Sequence, residues 1–204
     1  MSRFGEKMEY KVITLNCPGC GAPVTLETKK CKYCDREIII EKYKDLNAMS
    51  PLEINKRNFS YKKSLEEYPD SKELNTSAAF CLLKLKNYDL AINCFEKAMI
   101  GNFEDSDIYF YAAVCLLRGK KAFLTPRVVI DKIEEYINSA IMIDPKGLYY
   151  YFWAYIRYDH HYRKSYRMSP DFGQLLSLAK ENCVTYSEIS ELYSLLGVER
   201  PNCL

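Results

Sequence analysis

The feature that most constrains this 204-residue chain is a pair of C-x-x-C motifs near its start. Cys17 and Cys20 form the first motif, and Cys31 and Cys34 form the second after a spacer of ten residues. Two residues between thiolates allow both sulfur atoms to reach one tetrahedral ion at about 2.3 Å, and two such turns close a structural metal site. These four cysteines are therefore predicted to hold one structural Zn2+.

The alternative interpretation of a C-x-x-C motif is a redox dithiol of the thioredoxin kind. Such a motif requires a βαβ context and occurs singly, whereas this chain has two motifs with a short strand-like segment between them. The spacing therefore favours zinc. Four sulfur ligands leave no open coordination position, so the predicted ion is structural and not catalytic.

Strand-like segments alternate with the two cysteine turns. Residues 11–15, 23–27 and 36–41 are each predicted to be a strand, after a loose lead-in over residues 1–10. Strand, turn, strand, turn and strand is a layout that resembles the small zinc ribbons at the N-termini of many bacterial multi-domain proteins. The resemblance covers about residues 11–42, and it implies a domain whose folding energy comes mainly from zinc, roughly 10–16 kcal/mol.

A helical region follows a linker at residues 43–49. Ser50, Pro51 and Glu53 form the pattern of a helix start, with serine as N-cap, proline in the first turn and glutamate at the third position. This helix is predicted to run to about Tyr68, before Pro69, with its apolar residues on one face.

The next part of the chain repeats. The sequence SAAFCLL at residues 77–83 recurs as YAAVCLL at residues 111–117, which places Ala79 and Ala113 34 residues apart. A period of 34 residues is that of tetratricopeptide repeats. The chain therefore resembles a short tetratricopeptide array over about residues 50–160.

The following helix of the first repeat supports that resemblance. Ala91, Phe95 and Ala98 occupy the small-large-small packing positions of the family. In this register, the predicted helix that begins at Pro51 is the second helix of a preceding repeat whose first helix is missing. Small residues at such positions let antiparallel helices approach closely.

The C-terminal part departs from the repeat. Leu148 to Tyr166 is predicted to be a third first helix without a matching second helix. Predicted helices at residues 171–182 and 185–197 would then cap the array, because a repeat stack needs atypical ends to cover its core. The predicted fold class is mainly α, an antiparallel helical-hairpin (tetratricopeptide-like) repeat array with a small N-terminal β zinc ribbon. The predicted domains are residues 1–44 for the ribbon and 45–204 for the helical domain.

Composition excludes several classes of protein. Hydrophobic content of 48% with 27% charged residues predicts a folded chain, and no apolar run suggests a signal peptide or a membrane span. The net charge of +2 lies within residues 1–45, and four thiolates on one Zn2+ would offset it, so a basic duplex-binding patch is not expected. Dispersed free cysteines favour a reducing cytoplasm in a bacterial cell.

No catalytic motif is found, and an enzyme or a small-molecule substrate is not expected. The two histidines, His160 and His161, point about 100° apart on a helix and are interpreted, with Asp159, as a solvated helix end. Residues 149–167 interleave aromatic rings with arginines, a pattern that can bind single-stranded nucleic acid. The competing interpretation, which we favour, is that half of these rings fill the repeat core.

Binding residues are predicted from the groove that the family uses for peptides. First-helix positions facing that groove carry aromatic residues where chaperone-tail binders carry a carboxylate clamp, so an apolar or aromatic peptide is expected there. Aromatic and arginine residues on the opposite face of the third first helix would form a binding hot spot. The predicted partner-binding residues are Phe80, Lys84, Phe110, Val114, Arg118, Tyr150, Trp153 and Arg157.

Three functions follow from these features. The first is a non-enzymatic adaptor that grips a partner protein or peptide, with the zinc ribbon as a second contact surface. The second is a nucleic-acid-binding accessory factor that uses the ribbon and residues 149–167. The third, a redox sensor that releases zinc on oxidation, is the least favoured.

Overall fold

The computed structural model describes residues 13–204, which are mainly helical and include one small antiparallel sheet. The predicted fold class is confirmed; the lead-in over residues 1–10 and the first two residues of the predicted first strand lie outside the described part. The elements are β1 Thr14–Asn16, β2 Pro23–Thr25, α1 Pro51–Glu67, α2 Lys72–Lys84, α3 Tyr88–Met99, α4 Ser106–Leu116, α5 Arg127–Ile143, α6 Gly147–Ile156, α7 Phe172–Glu181 and α8 Tyr186–Leu196. The predicted linker contains a 3-10 helix, Tyr43–Ala48, called the linker helix below.

Within residues 13–42, the ribbon has two strands and not the predicted three. Leu15 of β1 pairs with Val24 of β2, but residues 36–41 form only one bridge, from Glu37 to Lys30. The segment instead lies against the helices, where Ile38 and Ile40 are fully buried. Two buried apolar side chains so close together draw the segment onto the helical core. Several of its backbone groups bond to side chains of α1 and α2, while the Ile38 N–H donates to the Lys29 carbonyl oxygen.

The helices pack as consecutive hairpins. The pairs α2–α3 and α4–α5 correspond to the two predicted repeats, and α1 packs against α2 as a lone helix. Ala79 and Ala91 are fully buried, as are the other small residues predicted to lie between helices. The Ser50 hydroxyl accepts a hydrogen bond from the Glu53 N–H at 3.2 Å, which confirms the predicted start of α1.

A third hairpin was not expected. The predicted helix up to Tyr166 ends at Ile156 and continues as a π-helical turn, Arg157–His161, before α7 folds back onto α6. The predicted cap helix α7 is therefore the partner of α6, and α8, like α1, lies outside the three hairpins. Its predicted capping box is present, because Thr185 and Glu188 bond each other's backbone N–H groups.

The start of α6 and the end of α7 approach each other closely at Gly147. A Cβ atom there would lie 2.6 Å from the Asn182 carbonyl oxygen and 2.7 Å from that of Ala179. Both are backbone atoms at the end of α7, so neither can turn away. The glycine sets how closely the start of α6 meets the end of α7.

Gly147→Ala is expected to destabilise the protein by about 3 kcal/mol, the upper range for overpacking, because the helix ends must separate. Chemical denaturation measures the difference. Gly173→Ala is the matched control: its Cβ would meet only the Asp171 side chain at 3.3 Å, so its stability should change by less than about 1 kcal/mol. Equal losses in both variants would contradict the tight approach.

Candidate functional site

The four predicted cysteine ligands come together in the ribbon. The thiol sulfur atoms of Cys17 and Cys34 are 3.6 Å apart, those of Cys20 and Cys31 are 3.7 Å apart, and all four lie within 4.8 Å of one another. Four sulfur atoms placed tetrahedrally at 2.3 Å from one ion are about 3.8 Å apart. The cluster therefore fits a tetrahedral metal ion.

The electrostatics of the cluster also suit a cation. The Tyr33 backbone N–H, more than any other group, lowers the pKa of Cys31 to about 7. The Arg36 N–H acts in the same direction on Cys34, but desolvation and the three neighbouring thiols together raise the pKa of Cys34 to about 12. Four thiols so close together resist complete ionisation on their own, and a divalent cation would remove that repulsion.

The first cysteine turn has a steric requirement at Gly19. Its N–H points to the Cys17 sulfur at 3.4 Å, and a Cβ atom at Gly19 would lie 2.7 Å from Cδ of Arg36 and 3.3 Å from the Cys34 sulfur. A larger residue would displace the Arg36 side chain and crowd the Cys34 sulfur. The N–H group also stabilises negative charge on the sulfur it contacts.

The ribbon is fastened to α1 and α2 by buried polar side chains. Arg57 donates from Nη1 to the Glu37 carbonyl oxygen at 2.7 Å, and the Tyr61 hydroxyl donates to the Ile38 carbonyl oxygen at 2.6 Å. The Ile40 N–H donates to the Ser77 hydroxyl at 3.0 Å. Ribbon and helices thus share hydrogen bonds and one apolar core; the division at residue 44 stays a prediction.

The inner face of the first helices α2, α4 and α6 is covered by two other segments of the same chain. The linker helix places Tyr43 against Phe80 and Tyr111, with ring centroids 5.9 and 4.7 Å apart. Lys84 donates to Asn47 Oδ1 at 2.7 Å and so holds the end of the linker helix.

Helix α8 covers the other part of this face. The Tyr193 ring packs edge-on against Tyr155 of α6, with centroids 5.7 Å apart, and Leu195 packs against both hydrophobic cores. A cleft of about 300 Å³ remains between the linker helix, α4, α6 and α8. Its lining includes Lys44, Tyr111, Leu148 and Leu195.

This arrangement corrects part of the predicted partner-binding set. Phe80, Phe110 and Val114 were expected to face an open groove, but they are 0%, 1% and 2% exposed and form the core under the covering segments. Arg157 is also buried. The physical reason is that aromatic and branched residues on the inner face are buried by the chain's own segments.

The remaining predicted residues are distributed over the surface. Lys84 binds the linker helix, Arg118 pairs with Asp89, and Tyr150 and Trp153 are half-buried against the second core. The structure therefore does not bring the eight predicted residues into one surface. A role of these four in partner binding stays a prediction.

About half of the aromatic rings in residues 149–167 are buried in the core, as the favoured interpretation held. Tyr149, Tyr151, Phe152 and Tyr155 are buried, while Tyr162 and Tyr166 are exposed. The adjacent histidines contradict the prediction of a solvated helix end, since His160 and His161 are 2% and 1% exposed. The π-helical turn places both histidines in the interior, where His161 contacts Glu134 of α5.

One functional-looking residue was missed by the sequence analysis. Glu134 is buried, and its Oε1 lies 3.1 Å from Arg157 Nε, 3.1 Å from His161 Nε2 and 3.4 Å from Trp153 Nε1. A signal was available: Glu134 lies on the apolar stripe of α5, four residues after Ile130 and three before Ile137. A carboxylate in that stripe predicts a buried ion pair.

The buried histidine predicts a pH dependence of stability. Burial, and next the charge of Lys164, lower the pKa of His160 from 6.5 to about 4. The unfolded chain therefore takes up a proton near its ordinary pKa, while the folded chain does not. The stabilisation is complete above pH 6.5 and is lost as the pH falls toward 4, with a loss of about 2 kcal/mol by about pH 5.

Urea unfolding at about pH 7 and about pH 5 measures this loss. His160→Gln, which cannot titrate, should lose about 2 kcal/mol less than the unchanged protein between the two pH values. The same loss in both proteins would assign the acid sensitivity to other groups.

Fold and site together define a helical-hairpin repeat protein with a four-cysteine cluster that could bind a metal ion, packed against the first two helices.

No protein-family model matches the chain, and no curated protein matches it. Among solved structures, the chain is similar to the one described as MamA MSR-1 C2, with 17% identity, a TM-score of 0.46, and coverage of 69% of this chain and 68% of that chain. It is also similar to MamA AMB-1 P212121, with 16% identity, a TM-score of 0.47, and coverage of 67% and 68%. Within residues 13–204, no helix combines the length and the apolarity that crossing a membrane requires.

Proposed function

We propose that this protein is a non-enzymatic cytoplasmic adaptor that binds a segment of a partner protein on the inner face of its first helices. The observation that carries the proposal is that this face already binds polypeptide segments. The linker helix and α8 both lie on it, through ring contacts from Tyr43 and Tyr193. A face that packs two helical segments of its own chain has the shape and apolar character to pack a third.

The cleft between the covering segments is the part of that face open to a partner. Tyr111 and Leu148 give it an apolar floor, and Lys44 is exposed at its rim. Lys146 and Asp107 pair with each other at 2.7 Å, so they add no uncompensated charge. Lys42, Glu188 and Glu191 also line the cleft, so its charges show no excess of either sign. An apolar floor without an excess charge favours an apolar or aromatic segment over a strongly charged one.

Zinc is the metal that best suits the cysteine cluster. Four thiolates with no oxygen or nitrogen ligand among them match the composition of structural zinc sites. The sulfur contacts at 3.6 and 3.7 Å join the two motifs, Cys17 with Cys34 and Cys20 with Cys31, whereas a redox dithiol would use the two cysteines within one motif. The ion would hold the ribbon folded as a second contact surface beside α1.

Site-specific photo-crosslinking tests the proposed face. A photoreactive phenylalanine analogue is placed at Leu148, in the cleft, and for comparison at Met142, which is 86% exposed on α5. The expected result is a defined partner crosslinked from position 148 and absent from position 142. That partner, once purified, should bind at least tenfold more weakly to Leu148→Glu than to Met142→Glu, a difference of about 1.4 kcal/mol.

Two outcomes would contradict the proposal. One is crosslinking to the same proteins from both positions, and the other is equal affinity of the purified partner for the two glutamate variants.

The nucleic-acid alternative has its own test, since binding of a single-stranded oligonucleotide should weaken steeply with rising salt. Without oligonucleotide binding at low salt, that alternative fails.

A further inference from the structure

A cavity of about 360 Å³ lies between the π-helical turn and the start of α7, away from the cysteine cluster and the proposed partner cleft. Arg157 and His161 line it from the turn, Tyr166 and Arg167 from the following loop, and Phe172 from the first position of α7. π-Helical turns within α-helices occur frequently at functional sites. The groups around this cavity have chemistry that the proposed adaptor function does not use.

Several buried polar atoms of the residues near the cavity are incompletely paired, and each of these atoms is closed to solvent. Arg157 is 6% exposed, and its Nη1 has no hydrogen-bond partner among the described residues. Its Nε is within ion-pair distance of Glu134 Oε1, at 3.1 Å, but not in the direction of a hydrogen bond. That single oxygen also contacts His161 and Trp153, so it cannot satisfy all three donors. The Nδ1 atoms of both buried histidines likewise lack a partner within residues 13–204.

Arg157 lines the cavity with part of its side chain, so an acceptor placed there would meet a guanidinium that the described residues pair only in part. A buried guanidinium N–H without an acceptor is unfavourable, and arginine pairs best with the planar or tetrahedral oxygens of carboxylate and phosphate. Arg157 always carries N–H donors, because guanidinium does not lose its proton in proteins. An arginine in the lining therefore favours an oxygen anion.

The charge of the residues that line the cavity also favours an anion. Arg167 is exposed and has no ion-pair partner among the described residues, so it adds an uncompensated positive charge. Asp171 is the one acid in the lining, and its carboxylate already accepts the Gln174 N–H at 2.8 Å as the N-cap of α7. Glu134 lies behind Arg157 and does not line the cavity.

The aromatic walls of the cavity set a second requirement for the ligand. Tyr166 and Phe172 place aromatic surface beside the arginines, and the Arg127 guanidinium lies over the Tyr166 ring at 6.0 Å. Flat aromatic walls next to a cation accommodate a planar ring that carries an anionic group. A volume of 360 Å³ admits a small molecule of that kind and not a folded partner.

We propose that this cavity is a binding site for a small planar-ring anion, a phosphate or a carboxylate, held by Arg157 and Arg167 between aromatic walls. The ring stacks along Tyr166 and Phe172, and the anionic group meets the guanidinium groups. The site is separate from the proposed adaptor face, and its test involves no partner protein.

Trp153 provides the measurement, because it is the one tryptophan of the chain and its indole N–H donates to the same Glu134 oxygen that faces Arg157. The full-length protein is titrated with phenyl phosphate and with benzoate, up to about 10 mM, while Trp153 fluorescence is followed. A saturable change with either probe is expected, and the tighter one shows whether phosphate or carboxylate is preferred. Phenol and inorganic phosphate, which each lack one half of the proposed ligand, are expected to bind at least tenfold more weakly.

Arg167→Gln is the decisive variant, since Arg167 is exposed and its loss leaves the buried network intact. It should weaken binding of the better probe about tenfold, as for loss of one charge-assisted contact. Lys180→Gln makes the same charge change on α7 outside the cavity and should leave binding unchanged. Unfolding curves of both variants should match that of the unchanged protein.

Three results would overturn the proposal. The first is the absence of a saturable signal with both probes. The second is equal weakening by Arg167→Gln and Lys180→Gln, which would indicate only general electrostatic attraction. The third is binding of phenol or of inorganic phosphate as tightly as the better probe, which would remove the anion or the ring from the proposed ligand.

Discussion

Cys31→Ser is expected to abolish metal binding and to unfold the ribbon, the largest effect of any single substitution in this chain. A serine hydroxyl replaces one of four thiolates and leaves the ion with an incomplete sulfur set. Structural zinc of this kind contributes about 10 kcal/mol or more to folding, far beyond what two short strands supply. Zinc per chain should fall from one equivalent to well below it.

The loss of stability in Cys31→Ser should extend beyond the ribbon to the helices. Ile38 and Ile40 are buried against α1 and α2, and the Tyr61 hydroxyl donates to the Ile38 carbonyl oxygen. When the ribbon unfolds, these helices lose apolar cover and a hydrogen-bond partner. We therefore expect the thermal midpoint of the helical part to fall as well, measured by circular dichroism at a helical wavelength.

Cys183→Ser is the matched control, because Cys183 is exposed and lies outside the cluster. It should retain one zinc per chain and an unchanged thermal midpoint. Full zinc content in Cys31→Ser, or no zinc in freshly prepared reduced protein without substitution, would contradict the metal site. Metal analysis together with thiol counting distinguishes these results.

Glu134→Gln is expected to destabilise the protein by about 3–5 kcal/mol, the cost of leaving one partner of a buried ion pair without the other. Arg157 would keep its charge at 6% exposure and lose its carboxylate. An amide retains the shape and one acceptor, so the loss reports charge and not volume. The fluorescence of Trp153 should shift, because its indole N–H contacts the same oxygen.

Glu135→Gln makes the identical change one residue away at an exposed position of α5. Its stability should lie within about 0.5 kcal/mol of the unchanged protein. Urea unfolding of both variants supplies the comparison. A similar loss in both would show that the Glu134 network is unimportant to the fold.

Features set by short stretches of chain were predictable. The cysteine spacing predicted the cluster, because two residues between thiolates constrain the turn regardless of what surrounds it. The starts of α1 and α8 were predictable from Ser50 and Thr185, since a cap is made by residues within one turn. The 34-residue repeat predicted which alanines are buried, because it records the same packing position twice.

Other features depend on residues far apart in sequence and were predicted wrongly. Phe80 was assigned to an open groove, but Tyr43, 37 positions earlier, covers it. His161 was predicted to be exposed to solvent, but its Nε2 lies 3.1 Å from the Glu134 carboxylate of α5. Neither periodicity nor motif reports which distant segment covers a given face.

By itself, the amino-acid sequence determined the cysteine cluster, the first two helical hairpins and the starts of α1 and α8, because those depend on local spacing and local hydrogen bonds. Only the tertiary structure decided that the inner face is covered by the linker helix and α8, that residues 37–40 lie on the helices, and that Arg157 and two histidines are buried beside Glu134. The reason is physical: burial and ion pairing are properties of contacts between distant segments, and those contacts exist only once the chain has folded.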